Sequence, residues 1–164
     1  MATATRKAAV TALLKTLNAT MPFFGRPAKA LKRAYGPGKW TLREILVHLS
    51  DTETVFLDRL RRLAAEEKPY LAAFDQDRWA ARLHYKERDL NLARAQYLVA
   101  RWSAIELARR LAPRVDANTG THSEAGTRTF AQVLRQIAAH NAHHLEQLRA
   151  CAAGKTWPPK CNRR

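Results

Sequence analysis

The sequence predicts an all-α protein: an antiparallel four-helix bundle with a short extra helix. Three observations lead there. Apolar residues recur at i, i+3, i+4 spacing over four long stretches. Proline and glycine gather between those stretches and not inside them. No stretch alternates apolar and polar residues with the period of a strand, so no strand is expected.

The first stretch runs from about Arg6 to Leu17, with Ala9, Val10, Leu13, Leu14 and Leu17 on one face. Met21 to Lys39 holds Pro22, Pro27 and Pro37 with Gly25, Gly36 and Gly38. It reads as a connector with a helical turn around Ala28 to Ala34. Thr41 followed by Glu44 is a capping box, which opens the second helix. Its stripe is Ile45, Leu49, Val55, Phe56, Leu60 and Leu63, and Lys68-Pro69-Tyr70 ends it after about Glu66. Asp75 caps a short helix to about Leu83, with Trp79 facing inward. Glu87 to Leu111 is the third long helix, carrying Leu90, Ala93, Tyr97, Ala100, Ile105 and Leu107 inward, and Pro113 stops it. Asp116 to Gly126, rich in Asn, Thr, Ser and Gly, reads as loop. Thr129 with Gln132 is a second capping box, and the last helix runs to about Ala153. Gly154 ends it and Pro158-Pro159 forbids continuation. Residues 1–153 are therefore expected to form one domain, followed by a basic tail over 154–164.

The net charge of +15 is unevenly placed. Nine Lys or Arg precede the first acid, Glu44, and five follow the last, Glu146, so the excess sits at the two ends. Such ends suit nucleic acid or an acidic partner, or simply make a solubilising surface. No nucleic-acid signature accompanies them, so a non-catalytic basic binding protein stands as the alternative to an enzyme. No apolar run approaches the roughly 20 residues of a membrane span, and Met1 to Thr20 has no signal-peptide core. The expected location is cytoplasmic. Cys151 and Cys161 form neither a disulfide framework nor a CxxC motif. Cys151 is expected in the core or at its rim, Cys161 in the tail.

Three of the six histidines fall on apolar stripes. His140 and His144 lie one turn apart on the face that carries Phe130, Val133, Leu134, Ile137 and Leu148. His48 lies on the stripe with Ile45, Leu49 and Thr52. The two stripes should face each other across the core. Three imidazoles converging there each need a partner at both nitrogens, and an ion satisfies one nitrogen of every ring. His48, His140 and His144 are thus the candidate ligands of a divalent transition metal. His143, rotated about 100° from His144, belongs on the flank. His84 and His122 lie near element ends, where solvent or backbone satisfies them.

The chain resembles the DinB/YfiT-like superfamily of metal-dependent bundle proteins. The matching pieces are Gly38-Lys-Trp-Thr-Leu-Arg-Glu-Ile-Leu-Val-His48-Leu-Ser-Asp51, Phe74-Asp-Gln-Asp-Arg-Trp79, His122-Ser-Glu-Ala-Gly126 and, above all, His140-Asn-Ala-His-His144-Leu-Glu-Gln147. They occur in family order and cover about Trp40 to Arg149. The resemblance places the family's HxxD and HxxxH ligand motifs on His48 and on His140 with His144. It implies nickel or zinc as the metal, thiol S-transferase or isomerase chemistry with a low-molecular-weight thiol, and a homodimer; metal-hydroxide chemistry on a small-molecule substrate would instead make it a hydrolase. The basic N-terminal extension and tail depart from the family pattern.

Three neutral ligands would leave the ion's full charge to acidify a bound water or thiol. The first would attack an ester or amide carbonyl, the second an electrophilic carbon. Asp51, one turn after His48, is the candidate catalytic residue, holding a water or orienting a ligand ring; otherwise it is a surface carboxylate near Arg59 or Arg43. Glu44 is assigned to the capping box and Gln147 to helix packing. Trp40, Trp79 and Trp102 line a pocket or, more commonly in bundles, the core.

Overall fold

The computed structural model of the chain describes residues 2–111 and 113–158. Cys161 and the tail charges Lys160, Arg163 and Arg164 lie outside the described residues. Four long helices form the body: α1 (Ala2–Thr20), α3 (Leu42–Ala65), α5 (Leu90–Leu111) and α6 (Phe130–Ala153). A 3-10 turn (Met21–Gly25) and a one-turn helix α2 (Ala28–Leu31) break the first connector. The short helix α4 (Gln76–Arg82) follows its Asp75 cap, whose carboxylate accepts from the Arg78 amide at 2.9 Å. Both capping boxes form as the sequence predicts. At Thr41 the backbone N–H and the hydroxyl both donate to Glu44 Oε2, at 2.8 and 2.7 Å.

One end of the core gathers Leu13 from α1, Leu60 and Leu63 from α3, Ala104 and Ala108 from α5, and Phe130 and Leu134 from α6. The other gathers Leu17, Leu42 and Ile45, Ala93 and Tyr97, and Leu145 and Leu148. Two helices therefore run each way, α1 and α6 in one direction and α3 and α5 in the other. The packed neighbours are α3 with α5 and α6, and α1 with α5 and α6. Side by side, α3 and α5 are parallel. Their connection, residues 66–89, must travel back along a helix of 24 residues, about 36 Å. That return path carries α4 across the outside of the bundle.

The region read as loop is instead half of a small sheet. Strands β1 (Tyr70–Leu71), β2 (Thr119–His122) and β3 (Gly126–Thr129) lie in that order. β1 pairs with β2 in parallel (Tyr70 with Thr121), and β2 pairs with β3 as a hairpin (Thr119 with Thr129). The expectation of no strand fails because these strands are too short and polar to show a buried stripe, and β1 and β2 pair across 51 residues of sequence. Gly126, at φ +67°, makes the turn that returns the chain. Gly120 lies so close to Pro69 that a Cβ would stand 2.7 Å from its carbonyl oxygen, so only glycine lets β2 reach β1 here.

The core also holds a charged network. Arg101 and Glu53, both fully buried, join through two bonds of 2.8 and 2.7 Å. Arg101 Nη1 donates to the Leu13 carbonyl at 2.9 Å and to the Thr16 hydroxyl at 3.0 Å. Asn141 Nδ2 donates to Glu53 Oε1 at 2.7 Å, and the Tyr97 hydroxyl donates to Asn141 Oδ1 at 2.9 Å. All four long helices contribute, so the network fixes their mutual register as well as satisfying its own charges. Cys151 is buried as expected, and burial pushes its thiol up to about 11, which keeps it protonated at neutral pH. Trp102 is exposed, contrary to both of its expected roles. Among the described residues no helix is long and apolar enough to cross a membrane.

Candidate metal centre

The capping box at Thr41 starts α3 about two turns before His48, and the one at Thr129 starts α6 about three turns before His140. Each box fixes where its helix begins and hence which face the histidines share with the apolar stripe. The Asn141–Glu53 bond then ties α6 to α3 one residue beyond His140. The three rings converge. His140 Nε2 lies 3.2 Å from His48 Nε2 and 3.2 Å from His144 Nε2. Ring centroids are 4.5 to 5.2 Å apart.

This spacing fits one ion. With metal–nitrogen bonds of about 2.0–2.1 Å and tetrahedral angles, two ligand nitrogens stand about 3.3 Å apart. Proton bookkeeping points the same way. His144 Nδ1 lies 2.6 Å from Gln147 Oε1, which can only accept, so His144 carries its proton on Nδ1 and a lone pair on Nε2. That lone pair faces His140 Nε2, which also faces His48 Nε2. A single proton on His140 serves one of these contacts and leaves the other unsatisfied; a cation between the rings serves all three. The Nδ1 atoms of His48 and His140 are buried without partners, so these two rings lack the outer acceptor that His144 has.

All three rings are held neutral. Burial, and after it the repulsion that charging would set up with His144 and His140, lower His48 to about 2. Burial and then the neighbouring histidines lower His140 to about 3. Burial lowers His144 to about 4, against the Gln147 bond, which raises it. Neutral imidazoles at physiological pH are the form a metal requires.

His140 and His144 line a cavity of about 560 Å³, while His48 is fully buried against them. Tyr35, Gly38, Lys39 and Trp40 of the first connector form one wall, and Gln76 and Asp77 at the start of α4 form another. Gly38 adopts φ +66°, the turn that brings the connector over the mouth. The Trp40 ring lies 4.8 Å from His48. His143 stays outside the trio but lines the same cavity: its Nε2 faces Gln147 Nε2 at 3.2 Å and its ring packs 4.7 Å from Trp157. Trp157 donates its amide to the Tyr35 carbonyl at 3.0 Å, so the start of the expected tail belongs to the folded body.

Asp51 is buried, and its carboxylate is held by Arg88 Nη1 at 3.0 and 3.2 Å and by Gln96 Nε2 at 3.3 Å. It makes no bond to a histidine ring and does not line the cavity, and the expected neighbours Arg59 and Arg43 are not its partners. The ring-orienting position belongs instead to Gln147, which the sequence reading assigned to packing. Its signal was present: Gln147 follows His140 by seven and His144 by three, on the same helix face. Glu44 serves its cap. His122 Nδ1 accepts from the Glu124 and Ala125 amides, at 3.2 Å each, as a histidine at an element end should. His84 follows α4 in the left-handed region, at φ 49°.

With this geometry in view, comparison with known proteins decides the family. The sequence profile of the DinB superfamily matches residues 3–148. The chain belongs to the DinB superfamily. Two relatives from Oceanobacillus iheyensis, provisionally named metal-dependent hydrolases, are 29% identical over 128 residues and 25% over 123. These alignments cover 77% and 73% of this chain and 73% and 68% of the relatives. A similarly named relative from Bacillus licheniformis is 27% identical over 131 residues, covering 77% of this chain and 73% of that protein. Among solved structures, YfiT from Bacillus subtilis, provisionally described as a metal-dependent hydrolase of unusual four-helix topology, superposes with a TM-score of 0.82 at 19% identity, covering 92% of this chain and 89% of that one. The four-helix bundle protein TT2238 matches with a TM-score of 0.54 at 26% identity, over 91% and 96% of the two chains. The four-helix fold of this DinB-superfamily chain agrees with both.

Proposed function

We propose that the chain is a metal-dependent hydrolase in which His48, His140 and His144 hold one divalent ion, nickel or zinc. The observation that carries this reading is the convergence of three neutral Nε2 atoms, two of them on rings that line an open cavity and the third on His48, buried against them. The provisional names of the relatives support it. Bound by three neutral ligands, the ion supplies the Lewis acidity that turns a water or a thiol into a nucleophile near neutral pH. The chain's own residues do the rest. Gln147 keeps the His144 proton on Nδ1 and its lone pair toward the centre. Trp40 excludes water from the His48 side. Lys39 and Asp77 offer opposite charges at the rim, where a small substrate's polar ends are held.

The same pairing favours the second reading, a thiol S-transferase. Lys39 and Asp77 match the carboxylate and ammonium ends of a low-molecular-weight thiol. Asp51 acts from behind the site, holding α3 to Arg88 and to α5 through Gln96. A homodimer would draw on α5, whose exposed Leu92, Val99 and Trp102 lie along one face.

Tag-free protein should contain close to one nickel or zinc per chain by elemental analysis. Esters, amides and electrophiles with added thiol should be screened before and after chelation. Turnover that disappears with the metal and returns with it is the expected result. Turnover surviving complete metal removal, or three-histidine protein that takes up no metal, overturns the proposal.

A further inference from the structure

We propose that the chain binds an organic oxyanion with a flat apolar body in a second cavity, with the Arg59 guanidinium as its charge partner and Tyr70, Phe74 and Trp79 as its apolar wall. This cavity, about 580 Å³, lies between α3 and the return path that carries α4. It shares no lining residue with the metal centre. The Phe56 ring stands between the two, its centroid 5.6 Å from Arg59 Cζ on one side and 5.6 Å from the His140 ring on the other.

Arg59 is only 6% exposed. Its Nη2 donates to the Ala72 carbonyl at 2.6 Å, while its Nε is buried without an acceptor. No carboxylate lies within 4.0 Å of it among the described residues. The other buried charges are compensated: Arg101 by Glu53, Asp51 by Arg88, and Glu44 by the Thr41 cap. A guanidinium taken out of water with no anion beside it is unfavourable unless something supplies the anion. Asp58, adjacent in sequence, does not: its carboxylate is engaged by Arg62 Nε at 2.8 Å. Asp58 and then Glu124 act on Arg59 only through space, and the Arg59 charge in turn helps burial to lower the proton affinity of His122. Arg59 thus has attractive charges at a distance, Asp58 at the cavity's own edge among them, but no direct ion pair.

The wall opposite the charge is aromatic. Phe74 and Trp79 pack at 4.4 Å between centroids, and Tyr70, 65% exposed, closes the edge. A planar apolar group beside a single cation is the chemistry of an aryl carboxylate or aryl phosphate: the guanidinium fork binds either headgroup, and the rings bind the body. The site is separate from the metal centre and does not depend on the hydrolase reading.

Calorimetry on the full chain with 2-naphthoate, 2-naphthyl phosphate and the neutral 2-naphthamide tests this. At least one of the two anions should saturate at one per chain, and the tighter one identifies the headgroup. The amide should bind about tenfold more weakly, as loss of a charge-assisted hydrogen bond implies. Arg59→Gln should weaken the anion by a similar factor, and Thr54→Trp, which fills the cavity and leaves Arg59 in place, should do the same. His144→Ala should leave it unchanged. If Arg59→Gln does not fold, Thr54→Trp carries the test. No saturable binding of either anion overturns the proposal, as does equal binding of the amide. So does an anion whose binding survives Thr54→Trp, or one lost in His144→Ala, which would place it at the metal centre.

Discussion

Replacing Gln147 with Leu should loosen the metal by roughly 10- to 100-fold while leaving all three ligands in place. The wild-type Gln147 Oε1 accepts from His144 Nδ1 at 2.6 Å inside a buried helix face. Leucine has similar bulk, so packing survives, but the Nδ1–H is left in apolar surroundings without an acceptor. A buried donor without a partner costs about 1–3 kcal/mol, equivalent to roughly tenfold to a hundredfold in affinity. The ring can escape that cost by moving its proton to Nε2, where it blocks the metal, so either outcome weakens binding. The assay is zinc titration against a chromophoric competitor at pH 7.5, with folding checked by circular dichroism. Gln147→Glu should restore affinity, because a carboxylate accepts the same bond more strongly. A folded Gln147→Leu that binds zinc as tightly as wild type would refute the reasoning and return Gln147 to mere packing.

Other outcomes follow from the same geometry. His144→Ala should lose most of the metal affinity and His143→Ala little, measured by the same titration, because only His144 belongs to the converging trio. Metal-free protein should lose stability as pH falls from about 6.5 toward 4. The folded histidines are shifted down to about 4 or below, so in this window the unfolded chain binds protons that the folded one refuses. Full stability is present above 6.5, and the slope can reach about 1.4 kcal/mol per pH unit for each ring. Urea midpoints at pH 7.5, 6 and 5 check this, with added zinc expected to shift the loss to lower pH; identical midpoints without metal would contradict it. Glu53→Gln should lower stability by roughly 3–5 kcal/mol, because it strands a fully buried Arg101 without its charge partner. Thermal unfolding should then drop by on the order of 10 °C, and an unchanged midpoint would show that Arg101 finds another partner. Trp102→Glu should leave a monomer if α5 carries a dimer, and light scattering decides.

Much of this protein was legible in the sequence because helices announce themselves locally. Thr41 with Glu44 and Thr129 with Gln132 mark two helix starts, Gly154 marks an end, and the 3.6-residue period places His48, His140 and His144 on inward faces. Those features depend on neighbours within one or two turns, which sequence spacing encodes directly. Tertiary structure alone decided the rest. The strands β1 and β2 each lack a stripe of their own and exist only because the fold brings Pro69 beside Gly120. The parallel placement of α3 beside α5 follows from a return path whose length permits it but whose course no local signal specifies. Gln147 became the partner of His144, and Asp51 the partner of Arg88, through rotamers chosen by packing. The same holds for Arg59, whose lack of a direct ion pair depends on which side chains the fold places around it. Local periodicity fixes which face a residue occupies, while the groups that meet that face across space are set by the packing of distant segments.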